Sequence, residues 1–225
     1  MKVTTDGCLF AAWCARELSQ MDQVTKTNNL PHALDIGTGT GLLSLMVAQK
    51  NELHIDAVEI DAAAAAQASA NIAAAPFGAQ VRVQQADILQ LNGATYEVIF
   101  SNPPFYEKEL KSGKAAKDTA HHGHQLNWAE LFGAINRLLH REGVFFLLLP
   151  YKRVSELEGY LKKEHLFINK LVRIKQSTRH SSFRLMVQGS REASALIEEE
   201  LAIKDEHQQY TPEFVALLRD YYLYL

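Results

Sequence analysis

The chain reads as an α/β fold: a mostly parallel, seven-stranded sheet with an antiparallel edge and helices on both faces. Three observations predict it. Short strand-like segments alternate with helical patterns through most of the 225 residues, the signature of parallel strands joined by crossover helices. The run Val144-Phe145-Phe146-Leu147-Leu148-Leu149 contains no polar residue, as a strand covered on both faces should. The last two strand-like segments have no helix between them, so they pair as an antiparallel edge.

Phe10 to Met21 is the first expected helix, with Phe10, Trp13, Cys14 and Leu18 on one face. Residues 22–29 are polar and read as a loop. Ala33 to Ile36 is a short strand, followed by glycines and a helix from Leu42 to Gln49. Ile55 to Ile60 is a strand; Ala62 to Ala75 is an alanine-rich helix, closely packed and ended by Pro76 and Gly78. Val81 to Gln85 and Tyr96 to Ser101 are strands. Asn127 to His140 is a helix that turns Trp128, Leu131, Ile135, Leu138 and Leu139 inward, and Val144 to Leu149 is the fully apolar strand. Val154 to Lys163 is a helix; Phe167 to Ile174 and Phe183 to Gln188 form the closing pair. Within 207–225, Phe214, Leu217, Leu218, Tyr221 and Leu225 recur at helical spacing, so a C-terminal helix docks on the core. No internal repeat is present, and residues 1–225 are expected to form one domain.

A composition 47% hydrophobic and 22% charged is that of a soluble globular chain. A net charge of −3 argues against a general DNA-coating protein. Cys8 and Cys14, six apart on a helix, make no disulfide or metal framework and point to a reducing cytoplasm. No apolar run reaches the ~18 residues of a spanning helix, so no membrane partner is expected. Met1 to Gly7 lacks the basic-then-apolar pattern of a signal peptide.

Two motifs carry chemistry. The first is Asp35-Ile36-Gly37-Thr38-Gly39-Thr40-Gly41, a strand-to-helix turn. Helix N-termini expose unpaired N–H groups, and glycines let a ligand approach the backbone. The spacing is G-x-G-x-G rather than the G-x-G-x-x-G of dinucleotide enzymes, and a carboxylate in the turn suits an ammonium better than a pyrophosphate. A nicotinamide cofactor is therefore the second reading, and a nucleotide-like cofactor with an amino-acid moiety the first. Glu59 ends the next strand, 24 residues beyond Asp35 and near the ~20 expected of a ribose-hydroxyl acceptor. Asp87 follows the third strand and, with Ile88, is placed to contact an adenine ring.

The second motif is Ser101-Asn102-Pro103-Pro104-Phe105. An aromatic amino nitrogen is a poor nucleophile because its lone pair is delocalised. Two acceptors aimed at its protons favour a pyramidal nitrogen and stabilise the charge that develops on attack. The Asn102 oxygen can be one. The Pro103 carbonyl can be the other, held because Pro103 and Pro104 each fix φ near −65°. Phe105 can stack on a planar base, worth ~1–3 kcal/mol. Catalysis of that kind is mostly orientation and polarisation, so methyl transfer from a sulfonium donor to a conjugated NH2 group is the reaction these residues suit.

With both motifs in place, the chain resembles the class I S-adenosylmethionine-dependent amino-methyltransferases. More narrowly, it resembles the bacterial tRNA (adenine-N6) methyltransferases that act on valine tRNA beside the anticodon. The resemblance runs over Met1 to Gly7, Leu34 to Gly41, Val58 to Asp61, Ala86 to Ile88, Ser101 to Phe105, Tyr210-Thr211, Phe214 and Tyr221. It implies a Rossmann-like methyltransferase domain, S-adenosyl-L-methionine as cofactor and transfer to N6 of adenosine 37. The sequence departs from that family at its start, since members usually carry a short basic-aromatic leader before such a Met-Lys-Val segment. Protein glutamine-N5 and rRNA guanine-N2 transfer are the alternatives, since the same four residues serve those acceptors. Enzymes of those kinds usually carry a further domain, whereas only 34 residues precede Asp35 here. A tRNA loop offers an unpaired base and its own shape for recognition. A non-catalytic binding module and an enzyme acting on a small-molecule amine are further readings.

Expected cofactor contacts are Asp35, Gly37, Gly39, Gly41, Glu59, Asp87, Ile88 and Asn102, under a cover formed by residues 1–30. Substrate contacts are expected from Phe105, Lys108 and Lys111, in a loop spanning 106–126 that also holds Lys114 and Lys117. Such a loop suits phosphate. His121, His122 and His124 lack a carboxylate or cysteine at metal-ligand spacing, so no metal is expected. Between Lys152 and Arg191, ten Lys and Arg face three Glu, a local +7 that leaves −10 elsewhere. Arg179 and Arg184 are the residues of this region expected to meet RNA, by a protein acting as a monomer.

Overall fold

A computed structural model describes residues 3–21, 30–103 and 126–224. Its elements are α1 (Thr5–Ser19), β1 (His32–Ile36), α2 (Leu42–Ala48), β2 (His54–Glu59), α3 (Ala62–Ala73), β3 (Val81–Gln85), β4 (Tyr96–Ser101) and α4 (Trp128–Leu138), then β5 (Leu139–Pro150), α5 (Val154–Lys163), β6 (Phe167–Ser177), β7 (Ser182–Ser190), β8 (Ile197–Lys204) and α6 (Pro212–Leu218). The strands form one sheet in the order β3-β2-β1-β4-β5-β7-β6-β8. Strands β1 to β5 are mutually parallel. β7 is antiparallel to both β5 and β6, and β8 is parallel to β6.

The expected antiparallel pair at this side of the sheet is β6 and β7, and one expectation is corrected: the described sheet has eight strands rather than seven, because β8 adds outside β6 as the last strand. β8 escapes a sequence reading because Glu198-Glu199-Glu200 looks like a solvated acidic run. Its cations come from β6, 25 to 29 residues earlier: Arg173 pairs with Glu198, Lys170 with Glu199 at 3.0 Å and Lys175 with Glu200 at 2.7 Å. Cross-strand partners of opposite charge stabilise a sheet pair, and a charged edge discourages further strand addition.

Alternation along the strands splits the core in two. Ala33, Phe100, Phe146 and Leu148 face α1, α2 and α6, where Trp13 meets the Phe146 ring edge-on at 5.5 Å. Leu34, Ile99, Phe145, Leu147 and Leu149 face α4 and α5. The predicted Phe10 start of α1 falls late by five residues. Thr4 is the N-cap, its hydroxyl accepting from Gly7 N–H at 3.3 Å, and Asp6 lies in the positive first turn. α4 opens with a reciprocal cap: Asn127 accepts from Glu130 N–H at 3.0 Å, and the Glu130 carboxylate accepts from Asn127 N–H at 2.9 Å. At the chain's end Phe214 and Leu218 are fully buried against the first core.

The chain order reverses between β1 and β4. In open α/β sheets a ligand binds outside the carboxyl ends of the strands at such a switch point. β1 ends in the glycine turn and β4 ends in Ser101-Asn102, so the fold itself brings both motifs there.

Candidate active site

Gly37, Gly39 and Gly41 all have positive φ, at 72°, 59° and 80°, a region costly for residues with a Cβ. Gly41 is also crowded: a Cβ there would sit 3.2 Å from Ile72 Cδ1 on α3. At Gly37 nothing lies within 4 Å of the Cβ position. One glycine thus serves helix packing, and the other leaves room beside bare backbone.

Under this turn lies Asp35, 1% exposed. Thr38 and Ser44 each donate a hydroxyl to its Oδ2, both at 2.7 Å. Its other oxygen, Oδ1, is buried and has no hydrogen-bond partner among the described residues. Burial pushes the Asp35 carboxyl up to about 6, against the pull of the two hydroxyls, and the nearby charge of Glu59 adds to the rise. Sequence reasoning missed Thr38 and Ser44. The available signal was a serine amid Leu42, Leu43, Leu45 and Met46; Ser44 is fully buried, and polar groups there need partners.

Glu59, 8% exposed, accepts from Gly39 N–H at 2.9 Å through Oε2 and from Asp61 N–H at 3.0 Å through Oε1. It therefore braces the glycine turn. A carboxylate has about four acceptor positions, so two remain for ribose hydroxyls. Ala86 N–H donates to Glu59 O at 3.0 Å, placing Asp87 and Ile88 just beyond it. Asp87 is half-buried and accepts from Leu89 N–H at 2.9 Å; Ile88 is 7% exposed, and its carbonyl accepts from Arg137 at 2.9 Å.

Asn102 is half-buried and Pro103 buried, directly after β4. Ser101, fully buried, donates its hydroxyl to Ile36 O at 2.7 Å and so ties β4 to the glycine-turn strand. The first turn of α1 packs against Asn102: a Cβ on Gly7 would lie 3.5 Å from Asn102 Nδ2 and 3.1 Å from Thr4 Oγ1. Glycine at position 7 is what permits this approach. Pro104, Phe105, Lys108 and Lys111, with the rest of the substrate loop up to residue 125, lie outside the described residues.

Arg179 and Arg184 stand at the same end of the sheet, around the β6–β7 turn. Arg184 pairs with Asp6 of α1 at 2.8 Å, and Arg179 with Glu206 at 3.4 Å. Burial acts to raise the Asp6 carboxyl, but hydrogen bonds from Thr4 and Arg184 outweigh it and hold it below its usual value. Other cations of the basic region are also engaged. Lys170 pairs with Glu17 at 3.2 Å, Arg153 with Glu156 at 2.7 Å, and Arg191 bonds to Asn136. Much of the local +7 is thus met by partners within the protein.

Among the described residues, those expected to meet cofactor, base and RNA therefore stand at one end of the sheet. Residues 18–143 match the family model described as methyltransferase small domain. The chain is 36% identical over 225 residues to the tRNA1(Val) (adenine(37)-N6)-methyltransferase of Pseudoalteromonas translucida (strain TAC 125), covering 99% of this chain and 92% of that protein. To the protein of the same name from Pectobacterium carotovorum subsp. carotovorum (strain PC1) it is 32% identical over 230 residues, covering 100% and 88%. Among solved structures, a predicted O-methyltransferase from Agrobacterium tumefaciens superimposes with a TM-score of 0.67 at 15% identity, covering 95% of each chain. A ribosomal protein L11 methylase from Lactobacillus delbrueckii subsp. bulgaricus does so at 0.55 and 14%, covering 81% and 77%. Those two likenesses establish the methyltransferase fold; the sequence identities go further, and the chain belongs to the tRNA1(Val) (adenine(37)-N6)-methyltransferase family.

Proposed function

We propose that the protein transfers a methyl group from S-adenosyl-L-methionine to the exocyclic N6 of an adenine in tRNA, adenosine 37 of valine tRNA by family. It acts in the cytoplasm as a monomer and without a metal. The observation that carries this reading is the pairing, on adjacent strands at the switch point, of a buried anion with an unused oxygen and a half-buried asparagine. Asp35 Oδ1 has no donor among the described residues, and the neighbouring charge that perturbs it is another anion, Glu59. A site so arranged fits a cationic ligand, and the ammonium of a methionine moiety matches it.

The residues present fit the whole cofactor. Asp35 and the bare backbone at Gly37 would hold the amino-acid portion, Glu59 the ribose hydroxyls, and Asp87 with Ile88 the adenine. When bound, the cofactor supplies a methyl group carried on a sulfonium. Asn102 and the Pro103 carbonyl accept the two amino protons of the target base, which localises the nitrogen lone pair and stabilises positive charge on it. Phe105 stacks on the ring. The methylated amine then loses its proton to water, so no side chain need act as general base. Ser101 and Gly7 hold Asn102 in place, a positioning role that contributes through orientation.

The test is incubation with methyl-labelled cofactor and total tRNA, followed by nucleoside analysis. N6-methyladenosine in valine tRNA is the expected product. N5-methylglutamine in a protein fraction, or N2-methylguanosine in rRNA, would replace this reading with one of the alternatives.

A further inference from the structure

Beside the active site lies a cleft of about 600 Å³, between the first turn of α1 and the carboxyl ends of β6 and β8. That volume is within the ~300–1,000 Å³ of small-molecule pockets. Its lining combines cationic, polar and aromatic groups, among them Arg184, Lys204, His180, Gln208, Phe183 and Tyr210. Tyr210 is 43% exposed although its ring stacks on buried Phe214, centroids 4.8 Å apart at 18°. The ring is therefore held rigid and still open. Lys204 Nζ stands 5.7 Å from its centroid. Arg184 is fixed by Asp6, and His180 is fixed through a 2.6 Å hydrogen bond between its Nδ1 and Ser177 Oγ. Asp6, on the cleft wall, directly precedes Gly7, whose backbone packs against Asn102. One turn of helix thus separates the cleft from the methylation centre.

We propose that this cleft receives an unpaired nucleotide adjacent to the target adenine in the RNA, its base against Tyr210 and its phosphate toward Lys204 and Arg184. The proposal rests on the reading of the protein as a tRNA methyltransferase and names where the flanking chain goes. An aromatic platform beside cations is how single-stranded nucleic acid is held: bases stack on rings while basic groups follow the backbone. An acidic peptide would satisfy the cations but leave the ring idle. Holding a neighbour also draws the loop open, which favours presentation of the target base at Asn102.

The test uses full-length protein with valine tRNA. Lys204→Ala and Tyr210→Leu should each raise KM for tRNA about tenfold, as loss of one phosphate contact or one stack would. Turnover at saturating tRNA and cofactor affinity should stay within about twofold, because neither residue is among those expected to hold the cofactor. Lys204→Ala should also flatten the dependence of log affinity on log salt by about 0.7, the value for one phosphate on a single strand. Tyr210→Phe should keep the wild-type KM, since the ring is retained; an equal defect in Tyr210→Phe would assign the effect to the hydroxyl and overturn the stacking role. Since Tyr210 packs on the core, thermal midpoints accompany these measurements, and Lys204→Ala, on the cleft rim, stands independently of them. Unchanged KM in both Lys204→Ala and Tyr210→Leu, with wild-type protein methylating tRNA normally, would overturn this proposal and leave the methyltransferase reading standing. Failure of the wild-type protein to methylate tRNA would remove both.

Discussion

The two ends of the sheet treat charge in opposite ways. At β1 and β2, Asp35 and Glu59 are buried, receive hydroxyl and N–H donors, and make no ion pair with a cation among the described residues. At β6 and β8, Lys170, Arg173 and Lys175 each meet a carboxylate across a solvated strand ladder. The first arrangement is costly in isolation, because a buried anion without a counter-ion loses its hydration. It becomes favourable when a cation arrives. The second is already neutral and asks for no ligand. Burial without a partner marks a site; pairing in solvent marks scaffold.

The boundary strand β4 offers the strongest test of that contrast, because Asn102 belongs to the chemistry and to neither charge system. Asn102→Ala should lower single-turnover methyl transfer about 10²–10³-fold, the usual effect of removing one aimed polar group. Cofactor affinity should change far less, as equilibrium dialysis with labelled cofactor would measure. Near-normal turnover would show that the Pro103 carbonyl and the stacking ring suffice.

Asp35 gives the next largest effect, and its sign can be worked out. With the carboxyl raised from 3.8 to about 6, the folded apo protein holds a proton that the unfolded chain has lost. This group's contribution to stability is therefore full below pH 3.8 and is lost as pH rises to about 6. Binding of an ammonium runs the other way, since it needs the ionised form. Cofactor affinity should fall below about pH 6, approaching tenfold per pH unit. Asp35→Asn should bind weakly and lose that pH dependence in calorimetric titration. Ser44→Ala, which removes one donor from Oδ2, should move the inflection to higher pH.

Gly41 and Gly37 separate packing from access within the same turn. Gly41→Ala places a Cβ 3.2 Å from Ile72 Cδ1 at a φ of 80°, so a cost of about 1–2 kcal/mol in denaturant unfolding is expected. Gly37→Ala shares the positive φ without the contact and should cost less stability, while its methyl fills space beside the backbone and weakens cofactor binding more.

The β1–β4 half was legible from sequence because its signals are local. Asp35 and the three glycines fall within seven residues, the alternating strands follow between His32 and Ser101, and boundaries there fall within two residues of those expected. Asn102 was legible because two prolines and an aromatic after an apolar strand have few other uses. What stayed hidden depended on pairing between distant segments. The hydroxyls of Thr38 and Ser44 acquire meaning only once Asp35 is known to be buried. Gly7 acquires it only once α1 is seen to cross Asn102. β8 looks like an acidic linker until β6 lies beside it, and the basic surplus between Lys152 and Arg191 looks free for the same reason.

That last misdirection yields the smallest and most discriminating prediction. Replacing Glu198, Glu199 and Glu200 together by Gln moves the formal net charge from −3 to zero and releases Lys170, Arg173 and Lys175 from their partners across the ladder. Exposed pairs contribute about 0–1 kcal/mol each; Lys170, with a side chain 14% exposed, keeps Glu17 as a second partner. The thermal midpoint should therefore drop by only a few degrees. Cofactor affinity should not move, since β8 lies four strands from β4. Affinity for unrelated RNA should rise and become more salt-dependent, because released cations can meet phosphates. The edge strand, without its three carboxylates, should also associate more readily with itself. An unchanged salt slope would mean that the β6 cations, paired or not, point away from any path the RNA takes, and that recognition belongs to Arg179 in the β6–β7 turn and Arg184 near the start of β7.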